Sequence, residues 1–142
     1  MLADRARILF GADWPDSPET ITAKGCRVVG LGPGNWLVIA RTDENGSMAD
    51  AIQSLKDVAA VCEQSGGYVV YEMAGDGAAE LMQRGVFVDL DPSAFPVGRA
   101  ATTALSHVGV TLWRTAPDAF EIAVFRSYRT AFEHWRQSTV AF

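Results

Sequence analysis

Two β-patterned runs, Ala101 to Arg114 and Phe120 to Arg126, flank the segment Thr115-Ala-Pro-Asp-Ala119, and no other feature constrains the fold of this chain as strongly. β-branched and aromatic residues dominate both runs and a turn-forming cluster divides them, so they read as two long neighbouring strands. Phe120, Ile122 and Val124 recur at period two and share one face. Gly109, alone inside the first run, reads as a β-bulge. A helix follows at once. Ser127 is placed to cap it, Tyr128, Ala131, Phe132 and Trp135 occupy the i, i+3, i+4 and i+7 positions of an apolar stripe, and Arg126, Arg129, Glu133 and Arg136 lie away from that stripe.

The pattern upstream is of the same kind. Val28 to Gly30 and Trp36 to Ala40 read as buried strands around the Leu31-Gly-Pro-Gly-Asn35 turn. Ser47 with Asp50 three residues later forms an acidic capping box for a helix that carries Met48, Ile52, Leu55 and Ala59 on one face. Ala60 to Gln64, Ser65-Gly-Gly67 and Tyr68 to Met73 have the form of a hairpin. Asp76 can cap a further helix with Ala78, Leu81 and Met82 inward and Glu80 and Arg84 paired outside, and Gly85 stands where a helix end needs a left-handed residue. Asp13 to Thr22 carries two prolines and little periodicity, so residues 1–24 read as an irregular lead-in to a core over 25–137. The order of elements predicts one α+β domain over 1–142, with a mainly antiparallel sheet and helices packed on one side. At 142 residues it can bury roughly two-thirds of the surface of its unfolded chain.

Composition removes whole classes of function. With 49% hydrophobic and 20% charged residues the chain is globular, not disordered. A formal charge of −5 disfavours nucleic acid. Asp4, Arg5 and Arg7 precede any apolar run and glycines break Val28 to Ala40, so neither a signal peptide nor a membrane span is read and a cytoplasmic location is expected. Cys26 and Cys62 lack CxxC spacing and read as reduced, structural thiols.

No motif assembles chemistry. Gly30-Leu-Gly-Pro-Gly-Asn35 fails the dinucleotide fingerprint: its third glycine is misplaced, Pro33 has no amide donor, and a strand follows where a helix is needed. Ser106 and His107 are sequence neighbours on a strand and so point to opposite faces. His107 and His134 have no metal-ligand spacing. Asp89 and Asp91 could do acid–base work or hold a cation, though such a run more often caps a turn. Arg126, Arg129 and Arg136 are broken by Glu133, which favours a solvated helix face over an anion site. Catalytic, cofactor-binding and metal residues are therefore assigned to none. The aromatics are ample for a core and leave some, such as Trp14 and Trp113, as candidates for a partner surface.

Four segments in unbroken order carry a family likeness: Leu31-Gly-Pro-Gly-Asn-Trp-Leu-Val-Ile39, Gly85-Val-Phe-Val-Asp-Leu-Asp-Pro-Ser-Ala-Phe-Pro96, His107-Val-Gly-Val-Thr-Leu-Trp-Arg114 and Phe120 to Trp135. Together they resemble the gamma subunit of heterotetrameric sarcosine oxidase. The resemblance implies a fold similar to the folate-binding domain of the glycine-cleavage aminomethyltransferase, with ferredoxin-like βαββαβ elements. It also implies a noncatalytic assembly role in a flavoenzyme complex that oxidises the N-methyl group of sarcosine. FAD, FMN, NAD and tetrahydrofolate are then expected on the large flavoprotein subunits, chiefly an alpha-like partner chain, and no cofactor on this one. Gamma subunits of this type have a longer part before the Leu31-Gly-Pro turn, so residues 1–24 would either complete a sheet edge or leave it to a partner. A free-standing folate-binding one-carbon-transfer protein using Asp89 or Asp91, and a general protein-interaction module, are the alternatives.

Overall fold

Strand pairing in the computed structural model starts at the Leu31-Gly-Pro-Gly-Asn35 segment, where β2 (Cys26–Gly32) folds back on β3 (Asn35–Ala40) around Pro33 and Gly34. Gly34 has a φ of +71°, a conformation open to glycine at no steric cost. The description covers residues 2–40 and 47–140, without the side chains of 47–49 and 140. Where one domain was expected, contacts divide the chain into two compact units, Met1–Glu63 and Gln64–Phe142.

In the first unit β1 (Thr20–Ala23) adds to β2, giving an antiparallel sheet in the order β1-β2-β3. Phe10, Cys26, Val28 and Leu55 form its buried centre, with Trp14, Trp36, Val58 and Val61 packed against them. Residues 1–24 are not irregular throughout. Leu2, Ala6, Leu9 and Phe10 fall at helical spacing and form α1 (Leu2–Phe10), in which Ala6 and Phe10 are buried. Arg5 ties this helix to the far end of the unit through paired hydrogen bonds of 3.0 Å to Asp57. The expected Ser47 helix is present as α2 (Ser47–Gln53), with Ala51 and Ile52 on the core. The Ser47 cap and the Met48 contact lie outside the described side chains.

The second unit has β4 (Tyr68–Ala74), α3 (Ala78–Gln83), β5 (Ala100–Leu105), β6 (Val108–Ala116), β7 (Ala119–Phe125) and α4 (Arg129–Val140). All strand pairs are antiparallel in the order β4-β7-β6-β5. Ala78 and Met82 of α3 and Phe132 of α4 pack with Val110, Leu112, Phe120, Ile122 and Val124, so both helices cover one face of this sheet. The α+β class and the antiparallel pairing agree with the sequence, although the strands fall in two sheets.

Several local expectations are corrected. Ala60 to Gln64 forms no strand, because Val61 is drawn into the first unit's core, and β4 pairs with β7 instead. Gly109 sits in register opposite Ala104, and the ladder slips between Arg114 and Ala116. Asp76 caps nothing, since Gly77 holds the N-cap position of α3 without a side-chain bond. Gly85 is not left-handed. Ser127 lies within a 3-10 turn, Arg126–Tyr128, that feeds α4. Tyr128 and Ala131 are exposed, which narrows the inward stripe of α4 to Phe132, stacked 4.5 Å from Tyr71, and Trp135.

Candidate partner-docking surface

The polar residues singled out in the sequence are engaged in local structure. Ser106 and His107 make the two-residue turn between β5 and β6, with Ser106 at φ +57°. Asp89 accepts the amide of Asp91 at 2.9 Å, and Asp91 accepts the amide and hydroxyl of Ser93 at 3.0 and 2.6 Å. Those two bonds from Ser93 hold the Asp91 carboxyl below the usual carboxylate range. Neither aspartate lines either of the two hollows described below. Gln83 fastens the same loop to α3, accepting the amide of Leu90 at 2.8 Å and donating to the carbonyl of Val88 at 2.8 Å. Among the described residues no three His, Cys, Asp or Glu side chains come close enough to hold a metal ion.

Arg114 was missed in the sequence. It is buried at 2% exposure, donates through Nη1 to the carbonyl of Phe95, and lies 4.7 Å over the Phe120 ring. Its Nε has no hydrogen-bond partner. A cation this deep among apolar residues is foreshadowed only by its parity with Val110 and Leu112 on β6. It clamps the loop that carries Asp91 and Phe95 and faces no hollow.

Arg129 and Arg126 are engaged separately. Arg129 pairs with Glu133 at 3.2 Å, and that carboxylate also accepts the Tyr71 hydroxyl at 3.0 Å. Arg129 is the larger cause, and Tyr71 the second, of the lowered Glu133 pKa. Arg126 donates to the carbonyl of Gly66 at 2.9 Å. The tryptophans are not at the surface as expected: Trp113 is fully buried, and Trp14 packs between Phe10 and Trp36 with ring centroids 5.3 and 5.6 Å away. Among the described residues the exposed bulky ones are others, namely Ile8, Val70, Phe87, Val97, Phe125 and Tyr128.

Three of these, Val70, Phe125 and Tyr128, gather near one end of the four-stranded sheet, with Val70 and Phe125 on the face turned from α3 and α4. On that face Tyr68 lies opposite Phe125 and Val70 opposite Ala123. The Tyr68 and Phe125 rings are 4.8 Å apart, and Tyr128 stands 6.5 Å from Phe125. A shallow apolar hollow of about 90 Å³ opens among Tyr68, Phe125, Ala123, Gly109, Thr111 and Thr102. A larger open groove of about 520 Å³ runs beside β4 and α3, with Glu72, Met73, Leu81, Arg84 and Thr139 among its walls. Glu80 also lines the larger groove, and its carboxylate lies 3.6 Å from the Arg84 guanidinium.

This α+β architecture has a counterpart among solved structures. It superposes with a TM-score of 0.86 and 26% identity on a chain of the heterotetrameric sarcosine oxidase from Corynebacterium sp. U-96, solved in complex with pyrrole 2-carboxylate. The match covers 99% of this chain and 73% of that one. The model of the sarcosine oxidase, gamma subunit family matches residues 7–142, and the chain belongs to that family. It is 32% identical over 113 residues to the sarcosine oxidase subunit gamma of Corynebacterium sp. strain U-96, covering 78% of this chain and 54% of that protein. It is also 32% identical over 116 residues to the same subunit of Corynebacterium sp. strain P-1 and of Arthrobacter sp., covering 80% of this chain and 56% of each relative. The chain thus spans about half the length of the curated relatives it matches.

Proposed function

We propose that this chain is a noncatalytic assembly subunit of a sarcosine oxidase-like flavoenzyme complex that breaks down sarcosine or a related N-methyl amine in the cytoplasm. The observation that carries this reading is the family match along nearly the whole chain. The folding of the candidate carboxylates into their own turns supports it, because Asp89 and Asp91 are consumed by local hydrogen bonds.

In this reading the large partner subunits, chiefly an alpha-like chain, hold FAD, FMN, NAD and tetrahydrofolate. The glycine-rich segment of the present chain does not fit such a group. Its loop joins two antiparallel strands, so no helix N-terminus faces a pyrophosphate, and Pro33 offers no amide.

Two measurements test the proposal. The isolated chain is expected to be colourless and to produce no peroxide from sarcosine, and a flavin band that persists through gel filtration would overturn the reading. Co-expressed with the large flavoprotein chains, it is expected to co-purify at both low and high salt, since a largely apolar contact is not screened as exposed charge pairs are. Failure to co-purify while both partners are folded would overturn it as well.

A further inference from the structure

Gly109 is the residue that the fold leaves unexplained. A glycine inside a strand weakens it, and its usual reasons are a bulge, a special backbone conformation or a close approach. The ladder is in register at Gly109, opposite Ala104. Its φ is not in the left-handed region. A Cβ built on it would meet nothing within 4 Å. Among the described residues, therefore, the chain's own structure makes no use of the missing side chain. What the absence does create is the floor of the 90 Å³ hollow, whose walls are Tyr68 and Phe125 and whose far side is Thr102 and Thr111, their hydroxyls 3.3 Å apart.

The surroundings of this socket fit a protein partner. Phe125 is 47% exposed, Tyr128 46% and Val70 39%, an aromatic and aliphatic rim of the kind that anchors the centre of interfaces. Beside it stands Arg126. Its one described bond is to the Gly66 carbonyl, and no carboxylate of the described residues pairs with it. In a chain of net charge −5, an exposed arginine next to an open apolar socket is complementary to an acidic group supplied from outside.

We infer that this sheet face docks the large partner chain of the complex, which inserts a leucine- or isoleucine-sized side chain into the socket over Gly109 and sets a carboxylate against Arg126. The inference rests on the assembly reading above and adds the surface to it.

The test uses the full chain co-expressed with the large flavoprotein chains, as wild type and as Gly109→Leu, Phe125→Ser and Arg126→Glu. Gly109→Leu fills the socket with the chain's own atoms and is expected to melt at or above the wild-type temperature, since nothing obstructs the added group. Each variant is expected to reduce recovered complex at least tenfold, and Arg126→Glu most at low salt. A photo-cross-linking residue at position 70 is expected to capture the large chain. Wild type that assembles, with all three folded variants assembling equally well, overturns the docking face and leaves the assembly role standing. Wild type that does not assemble overturns both. Gly109→Leu that dissolves a dimer of the isolated chain while leaving the complex intact assigns the socket to a second copy, and overturns the inference.

Discussion

Gly85 follows α3, where a helix commonly ends on a left-handed glycine, yet its φ is not positive. The reason for glycine is Trp135: a Cβ on residue 85 would fall 2.7 to 2.9 Å from the indole, closer than such atoms come. Gly85→Ala is expected to cost ~1–3 kcal/mol by overpacking, and to cost almost nothing further in a Trp135→Ala background. Denaturant melts of the two single variants and the double variant check it. Phe132 is fully buried, so Phe132→Ala is expected to lose ~3–5 kcal/mol, more than Trp135→Ala, because Trp135 is only partly buried. The Asp91 turn has its own pH signature. The folded pKa is depressed, chiefly by the Ser93 hydroxyl and then by its amide. Its stabilisation is therefore present at neutral pH and disappears as pH falls through that depressed value, below the ordinary ~3.9 of an aspartate. Ser93→Ala should bring the Asp91 titration midpoint back up, read from the side-chain carboxyl carbon by NMR. Burial raises the Cys26 thiol pKa, while Cys62 is exposed. One thiol is expected to react with a disulfide reagent in the native chain, and both in denaturant.

Two hairpins were legible in the sequence, β2–β3 and β6–β7, whereas Ala101 to Arg114, read as one strand, turns back at Ser106 and His107 to give β5 and β6, and the β1–β2 hairpin was not seen. Leu31 to Asn35 and Thr115 to Ala119 announce turns by composition, and the strands beside them follow from period-two patterning. Helix signals were weaker, because capping residues were present where the fold uses other contacts: Gly77 stands at the N-cap of α3 where Asp76 was expected, and Ser127 is absorbed into a 3-10 turn. The helix within Leu2–Phe10 was lost to the irregular, proline-bearing stretch that follows it. The surface of interest was least legible. Trp113 and Trp14 stood out by size and are interior, whereas Phe125 is on the opposite parity from Phe120, Ile122 and Val124 and could have been placed outside by alternation alone. Turn chemistry at the β1–β2 connection gives a further test. Lys24 and Gly25 both have positive φ, 49° and 78°, the pattern of a type I′ turn that suits asparagine at the first position. Lys24→Asn is expected to raise stability by a few tenths up to ~1 kcal/mol, measured by thermal melting, since the left-handed conformation strains a lysine.

On the scale of the whole molecule, each unit carries its own apolar centre, one around Phe10 and Leu55 and the other around Phe120 and Phe132. Leu55→Ala is expected to speed amide hydrogen exchange through β1 to β3 and to leave β6 and β7 protected, since local cores open with their own free energies. Uniform loss of protection in both units would contradict it. Within the first unit, the chain at Pro15 to Ser17 passes directly over Gly30: a Cβ there would run into the Ser17 carbonyl oxygen. Trp36 Nε1 holds the same stretch by donating to the carbonyl of Pro15 at 2.5 Å. A side chain at position 30 would lift this strap off the sheet without touching the β2–β3 pairing beneath it. The hairpin closes through neighbours in sequence and the strap through more distant ones, so the natural order of events is for the strap to settle last and to lift first. A protease that cuts between Asp13 and Pro18 would then act as a clock for the earliest opening of the unit, and Gly30→Ala would make that clock run fast.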